Sequence, residues 1–161
     1  MIITTRGGDA GETSLGSGTR IQKDDLLISL IGAIDECQAH AGAARAISHS
    51  SKIYDNILFI ERELHLLMGH ITRYEGCECP SIKPLEKIIE EVESKIEMFS
   101  FLLPGESQLS AALHICRTVA RRAERISIAL LKKGEIGEDA YRYLNRLSDY
   151  FYALIVLSES E

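Results

Sequence analysis

The sequence predicts an all-α fold, a five-helix bundle behind a glycine-rich N-terminal arm, and three observations predict it. From about residue 25 onward, apolar residues recur every three to four positions, the period of an amphipathic helix. That pattern is punctuated by glycine and proline at the later junctions. Before it, residues 1–24 hold five of the 12 glycines (Gly7, Gly8, Gly11, Gly16 and Gly18) and little apolar material for a core. A chain of 161 residues suits one domain. The reading is therefore a single unit over 1–161, with an arm over 1–24 and a bundle over 25–158.

Taken in order, the arm, TRGGDAGETSLGSGTRIQK, mixes glycines, small hydroxyls and cations. Such a composition lets backbone amides cradle phosphates. It is not a Walker A loop: Gly11 and Gly16 have the right gap, but Ser17 and Gly18 follow where Lys and Ser/Thr are required. Helices are expected over about 25–46, 52–75, 82–99, 108–133 and 138–158. In the third, KPLEKIIEEVESKIEMF, one face collects Leu85, Ile88, Ile89, Val92, Ile96 and Phe99, while the glutamates form a solvated face. Gly76, Cys77 and Pro80 mark the second junction, Pro104-Gly105 the third, and Gly134 and Gly137 the fourth, where Lys132 and Lys133 suit the helix dipole. Short junctions imply antiparallel neighbours.

Composition excludes several function classes. A net charge of −6 opposes nonspecific binding to nucleic acid or anionic membranes, because both rely on a positive field. The longest apolar run near the C-terminus, Tyr150 to Leu157, is far shorter than the ~18 residues of a membrane span. Arg6 and Asp9 interrupt any signal-peptide pattern, which places the chain in the cytoplasm. Cys37, Cys77, Cys79 and Cys116 read as reduced thiols in the core and in a helix–helix loop; zinc sites use C-x2-C or wider spacing, so no metal ligands are assigned, although His70 lies near Cys77 and Cys79. A ferritin-like di-metal bundle requires Glu-x-x-His pairs, whereas Glu36 to His40 and Glu61 to His65 are four residues apart.

The segment RTVARRAER, residues 117–125, concentrates cations inside the fourth helix. At about 100° per residue, His114, Arg117, Arg121, Glu124 and Arg125 share one sector, with Ala112, Ile115, Val119, Ala123, Ile126 and Leu130 opposite and Arg122 off both faces. All four cations are arginine, whose planar fork grips phosphate or carboxylate through paired hydrogen bonds. Asn145 and Asp149 on the next helix supply a second polar set that an antiparallel neighbour brings alongside.

Three separated blocks, TRGGDAGETSLGSGTRIQKDD, FLLPGESQLSAALHICRTVARRAER and NRLSD, together with GAIDE at 32–36, resemble the PduO-type ATP:cob(I)alamin adenosyltransferases in the family's order. The resemblance implies a homotrimer with active sites at subunit interfaces. It implies transfer of the 5′-deoxyadenosyl group of ATP to cob(I)alamin, with triphosphate released and Mg²⁺ used. Carried over by motif, Thr5, Arg6, Gly7, Gly8, Thr13, Ser14 and Lys23 wrap ATP, and Arg121, Glu124, Arg125 and Asn145 complete the site, with Arg121, Asn145 and Lys23 as the catalytic set. Asp35 pairs with Arg117 across the subunit boundary, and Phe101 lies on the corrinoid side. A flavin-dependent reductase and an adenosylcobalamin-dependent enzyme are the implied partners. Cys37, Gln38, Ser29, Ile31 and Glu106 depart from commoner family choices. The alternative reading is a non-catalytic trimeric nucleotide-binding regulator that uses the same arm and helix.

Overall fold

The computed structural model describes residues 6–95 and 102–160. Five helices dominate: α1 (Leu26–Ala46), α2 (Ser51–Ile71), α3 (Lys83–Glu93), α4 (Gln108–Lys132) and α5 (Glu138–Ser160). The arm adds a feature absent from an all-α reading. Strands β1 (Glu12–Ser14) and β2 (Arg20–Gln22) pair antiparallel in the register Glu12 with Gln22, Thr13 with Ile21 and Ser14 with Arg20.

Helices α1 to α4 begin where a short polar side chain satisfies a first-turn amide, or where proline makes one unnecessary. Asp25 accepts from the Leu27 amide at 2.7 Å, Ser50 from Ile53 and Ser107 from Ser110, while α3 carries Pro84 at its start. Such caps each contribute about 1 kcal/mol. Two helices end in the same way. After α2, Arg73 takes φ 57°, its amide donates to His70 O and the Tyr74 amide donates to Gly69 O. After α4, Gly134 takes φ 71° and the Glu135 amide donates to Leu130 O. Both are Schellman closures. The first replaces the expected continuation of α2 to 75, and it is hard to foresee because arginine occupies the left-handed position that glycine usually fills. Helix α3 stops at Glu93 rather than running to 99; Ile96 and Phe99 lie outside the described residues.

The helices pack in the order α2–α1–α4–α5–α3, with α2 also meeting α5. The shared core contains Leu30, Ile34, Ile57, Leu64, Leu113, Leu144 and Phe151, all fully buried. Tyr150 ties α5 to α2 by donating its hydroxyl to Asn56 O and Oδ1 at 3.0 and 3.1 Å. Flanked by α1 and α5, α4 buries a wider arc than hydropathy indicates, because Ala120, Ala123 and Ser127 sit at the helix contacts. The expected faces rotate accordingly. His114, read as part of the polar sector, is 3% exposed, and Ile115, read as core, is 46% exposed.

Among the described residues no helix is long and apolar enough to cross a membrane.

Candidate functional site

The hairpin folds the arm into a small platform. Gly18, at φ 83°, closes the turn by donating its amide to Leu15 O, and Leu15 accepts the chain back by donating to Thr19 O. Leu15 and Ile21 rest on the bundle core. Arg20 braces the glycine loop from behind, donating to Gly7 O at 2.9 Å, Ser14 Oγ at 3.2 Å and Glu12 Oε2 at 3.2 Å. Lys23 Nζ donates to Gly8 O at 2.8 Å, and its amide donates to Gly11 O. A Cβ on Gly8 would meet that ammonium at 2.8 Å, so glycine is what lets the lysine lie across the loop. Arg6, Gly7, Gly8 and Lys23 are thus brought together by turns at 7–11, with Thr13 and Ser14 on the adjoining strand. Thr5 lies outside the described residues.

The second half of the site is the seam between α4 and α5. Glu124 is half-buried there and accepts from Asn145 Nδ2 at 3.1 Å, a contact across the two helices that joins two of the residues singled out by sequence. One and two turns away along α4, Arg121 and Arg117 line a cleft of about 370 Å³ whose other walls include Ile89, Arg146, Asp149 and Tyr152. Helix α3 closes this cleft, so the glutamate-rich helix has an apolar edge that serves the site. Arg117 Nε is buried without a hydrogen-bond partner among the described residues, as are both ring nitrogens of His114. Burial, and then the Arg117 charge, push the His114 pKa down, favouring the neutral imidazole. Arg125 is exposed on the following turn. Arg146 faces Glu86 Oε1 at 3.3 Å, an ion contact without hydrogen-bond alignment, and donates through Nη1 to Asp149 Oδ2 at 3.1 Å.

Arg122, off the stripe in the sequence reading, forms an ion pair with Glu36 and so ties α4 to α1. Asp35, one residue away, is exposed and makes no ion pair with Arg117 within the chain. The hairpin instead docks at the far end of α2, where the Ser17 amide donates to Thr72 O at 3.1 Å. Phe101 lies outside the described residues.

With the hairpin and the arginine cleft in view, sequence comparison decides the family. The sequence model described as cobalamin adenosyltransferase matches residues 3–158. The chain belongs to the cobalamin adenosyltransferase family. Curated family members include a corrinoid adenosyltransferase of Bacillus subtilis, 37% identical over 95% of this chain and 84% of the relative, and a cobalamin adenosyltransferase of Cupriavidus metallidurans, 36% identical over 94% and 85%. Among solved structures, a variant PduO-type ATP:corrinoid adenosyltransferase from Lactobacillus reuteri, complexed with cobalamin and ATP, superposes with a TM-score of 0.89 at 27% identity, covering 99% of this chain and 94% of that one. A second variant from the same organism, complexed with ATP, gives 0.88 with the same identity and coverage.

Within this adenosyltransferase frame, sequence reasoning singled out the arm, the arginines and Asn145 and passed over Arg20 and Arg146, which the structure places beside them. Arg20 carries no helical signal, and its role depends on the hairpin register that sets it against Ser14. Arg146 sits in a motif quoted for its neighbours, and only the packing of α3 on α5 shows that it faces Glu86.

Proposed function

We propose that the chain transfers the 5′-deoxyadenosyl group of ATP to cob(I)alamin, giving adenosylcobalamin and triphosphate. The observation that carries this reading is the pairing of Glu124 with Asn145 across the α4–α5 seam, one and two turns along α4 from Arg121 and Arg117, which line a cleft, in a chain whose family match runs from residue 3 to residue 158. The arm and the arginine cleft are separate surfaces of one chain, the arm being docked at Thr72. A homotrimer supplies the missing neighbour: the arm of one protomer lies over the α4–α5 seam of the next, with ATP between them. Asp35 and Arg117, unpaired with each other within the chain, are the complementary pair at that boundary.

The reduced cobalt is itself the nucleophile, so the protein needs no Ser-His-Asp or Cys-His machinery. The cobalt electron pair forms the Co–C5′ bond while the C5′–O5′ bond breaks and its pair leaves on the triphosphate. Charge therefore grows on the triphosphate, and preorganised donors aimed at those oxygens lower the barrier. Arg121, Arg125 and Lys23 supply cationic donors, Arg6, Gly7 and Gly8 supply backbone amides, and Thr13 and Ser14 supply hydroxyls. Asn145 holds Glu124 at one carboxylate oxygen, leaving the other for the ribose or for the water shell of Mg²⁺. The donor set suits Mg²⁺ held mainly by triphosphate oxygens, because Glu124 and Asp149 each have one carboxylate oxygen engaged, by Asn145 and Arg146; bound there, it would offset phosphate charge. Holding C5′ in line with cobalt supplies the entropic part. Phe101 is proposed for the corrinoid side by family resemblance.

Incubation with ATP and chemically reduced cobalamin tests this directly. Adenosylcobalamin and triphosphate in equal amounts are expected, whereas ATP binding with neither product would make the chain a nucleotide-binding regulator instead.

A further inference from the structure

Away from the arginine cleft, three segments converge at the other end of α5. His70 from the last turn of α2, Cys79 from the 72–82 connection and Asp139 from the first turn of α5 place one ligand atom each within 4.8 Å of one another. We propose that His70, Cys79 and Asp139 form a binding site for a divalent transition ion of the zinc class.

The donor chemistry is one imidazole nitrogen, one thiol sulfur and one carboxylate oxygen, a mixed set that suits a borderline-soft ion and suits neither Mg²⁺ nor Ca²⁺. The geometry is close to what coordination needs. His70 Nε2 and Asp139 Oδ2 are 3.8 Å apart, and bond lengths of about 2.0–2.3 Å around a tetrahedral centre put ligand atoms roughly 3.3–3.8 Å apart. Drawing the three atoms in by about 1 Å completes the set. Asp139 is already oriented for this: Oδ1 accepts from the Ala140 amide at 2.8 Å, so Oδ2 is the atom left facing His70. Gly137 makes that orientation possible, because a Cβ there would collide with Asp139 Oδ1. The connection that carries Cys79 is pressed onto α2 by a second glycine; a Cβ on Gly69 would meet Cys77 Sγ at 2.5 Å.

A cleft of about 370 Å³ lined by Arg73 and Glu135 opens on two of the three, His70 and Asp139, giving an entry path and room for a fourth ligand from solvent. Binding forms metal–nitrogen, metal–sulfur and metal–oxygen bonds and releases the Cys79 thiol proton to solvent. Asp139 and Asp149 are ten residues apart on one helix, about 15 Å along its axis, so the ion lies outside the adenosyl-transfer site and ties α2, the connection and α5 together.

The test uses the full chain, reduced, chelator-treated and free of corrinoid. Titration with Co²⁺ should give one equivalent of a thiolate-to-cobalt absorption band, displaced by Zn²⁺, and Zn²⁺ at about a hundredfold over its Kd should raise Tm by roughly 5 °C or more. Cys79→Ser should abolish the band and the Tm rise, Cys77→Ser should keep both, and His70→Ala and Asp139→Asn should each weaken binding at least about tenfold. No band in the wild type, a band that survives Cys79→Ser, or one lost in Cys77→Ser overturns the site. Should Cys79→Ser fail to fold, Asp139→Asn decides: unchanged Zn²⁺ affinity there overturns it as well. Adenosyl transfer is assayed separately, so failure of either reading leaves the other intact.

Discussion

At the residue scale, the arginine cleft includes a polar atom, Arg117 Nε, that has no partner among the described residues. Arg121 lines the cleft with its guanidinium exposed, and a charge-assisted hydrogen bond contributes roughly 1.5–3 kcal/mol. Arg121→Ala should therefore lower kcat/KM for ATP by about 10- to 150-fold while the bundle keeps its Tm. Turnover equal to wild type would remove Arg121 from the site. His114 carries a second expectation. Its folded pKa lies below 6.5 because burial and Arg117 disfavour the imidazolium, with Glu159 opposing weakly. The unfolded chain then takes up the proton first, so stability is lost as pH falls below about 6.5 and the loss stops growing below the folded pKa. Between about pH 8 and pH 5, wild-type Tm should fall more steeply than that of His114→Leu; parallel curves would show that His114 titrates normally.

At the element scale, the hairpin and the seam behave differently under substitution. Gly16 packs on the end of α2, where a Cβ would meet Thr72 Oγ1 at 2.7 Å and Tyr74 Cβ at 2.9 Å. Gly16→Val should push the hairpin off this dock, raising KM for ATP by about tenfold or more with little change in far-ultraviolet circular dichroism, since Tyr74 Cβ is fixed to its own backbone and cannot swing aside as the far end of a side chain can. An unchanged KM would mean that docking at Thr72 has no part in nucleotide binding. The five helices were legible in the sequence because their apolar periodicity and caps are local signals. The face of α4 was legible only in part. Hydropathy counts large residues, whereas Ala120, Ala123 and Ser127 are buried by the approach of α1 and α5, and His114 and Ile115 exchange places as a result. The β1–β2 pairing escaped notice because two three-residue strands carry too few alternations to register. The arginines and Asn145 were legible as chemistry, but their union with Glu124 at 3.1 Å required the α4–α5 packing. Asp139 stayed hidden as a companion of His70 and Cys79 because 60 residues separate it from the latter.

At the scale of the whole molecule, an acidic chain of net charge −6 concentrates arginines at one cleft, which draws an anion to one place rather than to the surface at large. The trimeric reading makes a coupled prediction. Asp35→Ala and Arg117→Ala should each weaken assembly or activity, and the double variant should lose less than the sum of the two. Sedimentation and turnover across that cycle check it; strictly additive losses would count against a shared contact.

Among the described residues, the hairpin is held to the bundle by the Ser17 to Thr72 backbone hydrogen bond, the packing of Gly16 on Thr72 and Tyr74 and the contacts of Leu15 and Ile21, a smaller hold than the helices have on one another. Local opening of such a unit is cheap, and its amides should trade protons for deuterium well before those of α1 or α4. If ATP sits under this hairpin as proposed, its loading and release should keep time with that opening, while the rods behind it exchange far more slowly.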